Sequence, residues 1–161
     1  MKSYVYNKSK WIKAGNRTKS SMMKLGTSKT KNVYVIETKG GKSFDPKYQE
    51  SYIVVYNNAI LWNADYGIKT NNGTCLSPAT GFSHECAHAW DYFTDSNYEN
   101  NSKEDKNNPY DSIEEENVIT GDEQRQAEAN GETPKGRPTR TDHEGTPCLV
   151  NDPTEKPVDE H

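Results

Sequence analysis

Ser77-Pro78-Ala79-Thr80-Gly81-Phe82-Ser83-His84-Glu85-Cys86-Ala87-His88-Ala89-Trp90 is the stretch that decides the fold of this chain. Ser77 reads as an N-cap and Pro78 as the first residue of a helix. The apolar and small residues that follow carry that helix to about Phe93, where Thr94-Asp95-Ser96-Asn97 stops it. Within it, His84, Glu85 and His88 spell H-E-x-x-H. Positions i and i+4 of a helix share a face, so both imidazoles can meet one metal ion, with Glu85 beside them as a base for metal-bound water. About one random shuffle in a hundred of this composition would contain the pattern. The competing reading is a core helix with two histidines and a buried acid. It is disfavoured because an unpaired buried Glu is costly.

The chain has 161 residues, one domain by length, and hydrophobic residues make up only 30 % of it. A small core with long Asn-, Lys- and Asp-rich loops follows, and a bound metal would help to stabilise it. Charge is uneven. Residues 1–32 hold eight Lys, one Arg and no acid, whereas residues 101–161 hold sixteen acids against seven Lys and Arg. The basic start, residues 1–31, lacks aromatic-glycine repeats and a recognition helix. It therefore reads as a solvated arm, of short strands or irregular chain, rather than a nucleic-acid surface. Cys75, Cys86 and Cys148 form no close-spaced framework; Cys75 with Cys148 is the one pair left open, and Cys86 reads as a small buried residue. No stretch approaches membrane-spanning length and no apolar leader opens the chain, which leaves the compartment unassigned.

Ahead of the motif, Asn32–Thr38, Ser51–Tyr56 and Ala59–Trp62 read as short strands, with turns at Gly40-Gly41, Asn57-Asn58 and Asn71-Asn72-Gly73. Behind it, residues 95–111 read as a polar loop. A second helix starts at Ser112 with a capping box to Glu115, ends near Thr120-Gly121, and is followed by a short third helix over Asp122–Asn130. Residues 133–146 read as extended, because Pro134 and Pro138 exclude a helix. Strands first and helices after give an α+β class. The expected organisation is one zincin-like domain over residues 1–148, in which a motif helix precedes a second ligand-bearing helix, then an acidic mobile tail over 149–161.

A catalytic zinc needs a third protein ligand and an open position. No third histidine continues the motif. Glu114, Glu115 and Glu116 open the second helix, Glu123 lies on the next, and His143 lies in the extended segment. A two-His, one-Glu site fits best. If the capping box uses Glu115, then Glu114 or Glu116 must serve. Acids at a helix start also read as compensation of its dipole.

These blocks resemble the NleD-like effector metallopeptidases. The residues that carry the resemblance are His84-Glu85-Cys86-Ala87-His88-Ala89, Glu115-Glu116 with Thr120-Gly121, Glu123 with Arg125 and Glu128, and Pro138 with Arg140-Thr141-Asp142-His143. They span roughly residues 76–146. The site is also similar to that of clostridial neurotoxin light chains, which pair an Arg with a Tyr three residues on. The resemblance implies a bacterial effector or toxin domain acting on proteins. It implies that His84, His88 and Glu116 hold Zn²⁺, that Glu115 supports them from outside, and that Glu85 is the general base. It further implies that Arg140 stabilises the transition state with His143 where Tyr is usual. The expectation is a monomeric zinc endopeptidase with a protein substrate. A structural zinc protein and a nucleic-acid-acting toxin domain are the alternatives.

Overall fold

The computed structural model describes the backbone of residues 2–7, 10–16, 21–24, 32–37, 52–54 and 59–156, and the side chains of residue 60 and residues 62–156. The turns expected at Gly40-Gly41 and Asn57-Asn58 lie outside the described residues, as do the side chains of the basic arm and residues 157–161. Six strands come first: β1 (Lys2–Asn7), β2 (Lys10–Asn16), β3 (Ser21–Lys24), β4 (Asn32–Glu37), β5 (Tyr52–Val54) and β6 (Ala59–Trp62). β1 and β2 form an antiparallel pair, and the next four form a mixed sheet in the order β3-β4-β6-β5. β4 and β6 run parallel, with Ile36 opposite Leu61. β4, β5 and β6 fall where the β-branched runs predicted strands.

A second sheet lies closest to the site. It contains β7 (Tyr66–Thr70), β8 (Cys75–Leu76) and β9 (Gly145–Leu149), antiparallel and in the order β8-β7-β9. β7 carries no strand signal in the sequence because it is short and half polar. Asn71-Asn72-Gly73 makes the expected turn between β7 and β8: Gly73 has φ +80°, a conformation that favours glycine, and its N–H donates to Thr70 O at 3.0 Å. β9 brings residues 145–149 back beside β7, with Gly145 opposite Thr70 and Leu149 opposite Tyr66. A Cβ on Gly145 would sit 2.3 Å from Ile68 Cγ2, so glycine alone lets the chain approach β7 this closely.

This sheet also rules out the pairing that the sequence left open for Cys75 and Cys148. Cys75 pairs opposite Lys69 on one side of β7, and Cys148 opposite Gly67 on the other. Two strand spacings of about 4.8 Å each put them beyond the roughly 7 Å reach of a disulfide. All three cysteines are free thiols.

The motif helix, α1, spans Pro78–Thr94. Ser77 Oγ accepts the Thr80 N–H, and Pro78 stands in the first turn. Phe82, Cys86 and Ala89 are buried, and the Phe82 ring lies 5.0 Å from that of Trp62 on β6. Trp62 Nε1 also donates to Pro78 O at 2.8 Å, which ties the start of α1 to the mixed sheet. After the one-turn α2 (Tyr98–Asn101), Ser112 caps α3 (Ile113–Val118) through the Glu115 N–H. The helix does not stop at Thr120-Gly121 as expected. It widens into a π-helical turn over Ile119–Glu123 and continues as α4 (Gln124–Ala129). Val118, Ile119 and Ala127 anchor this rod in the core.

Past residue 148 the chain is docked up to residue 156. Val150 N–H donates to Asp65 O at 2.9 Å, and Pro153 O accepts the Ala79 N–H in the first turn of α1 at 2.8 Å. That contact satisfies one of the N–H groups a helix start leaves open.

Candidate metal centre and pocket

α1 places His84 and His88 one turn apart on a buried face, their ring centroids 4.4 Å apart. Each ring uses its Nδ1 outward. His88 Nδ1 lies 2.5 Å from Glu114 Oε2, and His84 Nδ1 lies 3.0 Å from Glu123 Oε2. A carboxylate accepts, so both Nδ1 atoms carry a proton, and in the neutral rings both Nε2 atoms present lone pairs. Those two Nε2 atoms face each other at 2.8 Å. Glu115 closes the triangle, with Oε2 3.3 Å from His84 Nε2 and Oε1 3.2 Å from His88 Nε2. The ligand atoms of His84, His88 and Glu115 lie within 4.8 Å of one another. Two lone pairs and a carboxylate converging in a buried place repel unless a cation sits among them. Glu115 Oε2 and Glu114 Oε1 are buried without a hydrogen-bond partner, a further sign that the protein atoms alone do not satisfy this centre.

The electrostatics point the same way. Burial lowers the His84 imidazole, as does His88, but the carboxylates of Glu115 and Glu123 outweigh them and hold it above its ordinary value. Burial lowers His88 too, yet Glu114 and Glu115 hold it well above the usual range. Burial raises Glu115, but the two imidazoles beside it dominate and keep it far below the usual carboxylate range. The site is built to hold positive charge at its centre.

The sequence expected Glu116 to meet the two histidines, with Glu115 outside. The structure reverses that order. Glu116 is exposed and accepts from Asn108 Nδ2 at 3.0 Å, away from the imidazoles. The reason lies in the cap: the Glu115 N–H uses Ser112 Oγ, but the Glu115 carboxylate does not reach back to complete a capping box and turns to the rings instead. Adjacent helical residues point about 100° apart, so placing Glu115 at the centre sends Glu116 to solvent. Glu114, rotated the other way, meets His88 Nδ1.

Glu123 reaches His84 because of the π turn. In a continuous α-helix it would point about 80° away from Glu115, eight residues earlier. One extra residue accommodated in the π turn cuts that to about 20°. Glu123 is fully buried and also held by Arg140, whose Nε lies 3.1 Å from Oε1 and Nη2 2.5 Å from Oε2. Thr139 Oγ1 donates to Oε1 at 2.7 Å. Burial raises this carboxyl, but His84 and Arg140 bring it down to about 2. The sequence singled out Glu123 as a ligand candidate and Arg140 as a transition-state group. Their clasp with His84 carried no local signal, because it joins residues 56 and 17 positions apart.

Glu85 is buried beside the centre, and burial raises its carboxyl even against the nearby imidazoles. A pocket of about 330 Å³ opens here, lined among others by His84, Glu85, Glu123, Arg140, His143 and Gly145. Arg140 also donates from Nη1 to His143 O at 3.1 Å. His143 Nε2 lies 3.5 Å from Glu115 Oε2, at the edge of the centre and outside the three-residue cluster. The structure thus brings Glu85, Arg140 and His143 to one pocket and leaves Glu116 out of it.

Residues 12–155 match the model of the M91 peptidase family, which is described as an effector protein. That covers most of the chain, and the chain belongs to this family. No curated protein and no solved structure matches it. Among the described residues no helix is long and apolar enough to cross a membrane.

Proposed function

We propose, from that family membership and the geometry above, that this protein is a zinc-dependent endopeptidase acting on a protein substrate, with His84, His88 and Glu115 holding the metal. The convergence of two Nε2 atoms and a carboxylate, next to a pocket that His84 and the buried Glu85 help to line, is the observation that carries this reading. Bound there, zinc would polarise a carbonyl and make a neighbouring water more acidic. Three N/O protein ligands are the usual set for a catalytic zinc, and the buried, unpartnered Glu115 Oε2 fits that use.

Glu85 is the general base. Its burial raises the carboxyl toward the range in which it can accept a proton from the attacking water and return it to the leaving amine. Glu114 and Glu123 hold His88 and His84 with Nδ1 protonated, so that Nε2 is free to ligate. Arg140 and His143 line the same pocket as Glu85, and there the Arg140 guanidinium can stabilise the charge that the carbonyl oxygen gains. The alternative of a purely structural metal is disfavoured by the pocket, since structural zinc sites are closed. The effector role follows the family description, with the substrate a protein by the same token.

The test is Glu85→Gln in the full chain. The expected result is a loss of peptide-bond cleavage of about 10²–10⁴-fold with one zinc still bound per chain. Cleavage at the wild-type rate would refute the assigned base.

A further inference from the structure

A half-exposed histidine in a turn is ordinarily free to rotate. His143 is held at three points. Its backbone N–H donates to Pro109 O at 3.1 Å, its carbonyl accepts from Arg140 Nη1 at 3.1 Å, and its ring Nδ1 lies 2.8 Å from Asp111 Oδ2. Flipping the ring would break the Asp111 contact. The remaining polar atom, Nε2, faces the centre, 3.5 Å from Glu115 Oε2.

Asp111 is itself unusual. It has φ +68°, in the left-handed region, where Asp is found more often than most side-chain-bearing residues, and no other non-glycine residue among those described adopts it. Its N–H donates to Asn108 O at 3.0 Å and its carbonyl accepts from Asp105 N–H at 2.7 Å, so the loop from 105 to 111 is closed upon itself just before Ser112 caps α3. An exposed ion pair returns little stability. Asp111 and His143 are both substantially exposed. The loop fixes where Asp111 stands, and the Asp111 carboxylate in turn fixes the ring of His143.

We propose that Asp111 is a positioning residue: it takes the His143 Nδ1–H and so turns the Nε2 lone pair into the pocket, where it accepts a hydrogen bond from an N–H of the bound substrate. The orientation stands on geometry alone, and its catalytic use rests on the peptidase reading. No motif in the sequence marks Asp111; the pair joins residues 32 positions apart.

Two measurements on the full zinc-loaded chain decide it. Long-range ¹H–¹⁵N correlation spectra should find the His143 proton on Nδ1 in the wild type, and on Nε2 in Asp111→Ala. A wild-type ring with Nδ1 unprotonated, or an unchanged Asp111→Ala spectrum, overturns the proposal. Acetohydroxamate serves as the probe, because it is a zinc ligand whose N–H can donate to the His143 Nε2 lone pair. Its binding should weaken about tenfold in Asp111→Ala, the worth of one hydrogen bond, by a similar factor in His143→Ala, and no further in the double variant. Losses that multiply in the double variant also overturn it. A wild-type chain that binds neither zinc nor the hydroxamate sinks the peptidase reading instead, and leaves the spectra to judge the orientation.

Discussion

The two halves of the candidate metal centre are built differently. His84 and His88 come from a single turn of α1, where four residues of ordinary helix align them. The acidic half comes from a rod that changes its pitch: Glu114 and Glu115 stand on α3, Glu123 beyond a π turn. Local spacing positions the first half. The second depends on a cap, on a wide turn and on Arg140 reaching in from the segment before β9. A helix repeat is a strong constraint written in adjacent residues. An extra residue in a helix is a choice made by packing, here with Val118 and Ile119 buried on the core side.

The largest effect should fall on the locally determined half. His84→Ala or His88→Ala removes one of three ligands, and zinc affinity should fall on the order of a thousandfold or more, read by competition with a chromogenic chelator. Cleavage should vanish with it. Retained stoichiometric zinc in either variant would break the premise that both halves share one ion.

Next comes the π-dependent contact. Glu123→Gln keeps the size of the side chain but strips the charge that holds His84 Nδ1–H and Arg140. Zinc should bind about 10–100-fold more weakly, with the helical circular dichroism unchanged. Unaltered affinity would mean that the π turn does nothing for the metal.

Cap loss is smaller and sharpens the same contrast. Ser112→Ala removes the acceptor of the Glu115 N–H and should cost about 1 kcal/mol, seen as a lower denaturation midpoint. Zinc affinity should fall with it, because the cap sets the direction of Glu115. The same substitution at Ser77, which caps α1 before the histidines, should cost similar stability and leave zinc affinity nearly alone.

The smallest expected change is electrostatic. Asp91 is half-buried on α1, and burial first, then Glu114, Asp122 and Asp95, raise its carboxyl to about 6 from 3.8. The folded state therefore binds this proton more tightly than the unfolded chain does. Stability is gained as pH falls through 6 toward 4, and above 6 the folded state carries an unfavourable charge. Asp91→Asn should raise the Tm at pH 7.5, by a margin that shrinks near pH 5 and is gone below pH 4. An equal shift at all three pH values would contradict this.

The sequence made the strands of the mixed sheet, the cap and span of α1, and the H-E-x-x-H centre legible, because each rests on residues a few positions apart. It also brought Arg140 and His143 forward by their place in a pattern. It expected Glu116 beside the two imidazoles, where the structure has Glu115. The capping-box pattern at Ser112 suggested that the Glu115 side chain was spent on the cap, whereas its backbone N–H is what the cap uses. β7 and β9 went unread because two short strands find each other across 80 residues, and the π turn because no residue type marks it.

The central claim is that Glu115, and not Glu116, completes the centre with His84 and His88. Zinc affinities of Glu115→Gln and Glu116→Gln, measured side by side in the full chain, test it most directly. Glu115→Gln should lose at least about a hundredfold, while Glu116→Gln should stay within about twofold of wild type. The opposite ranking would contradict the site described above.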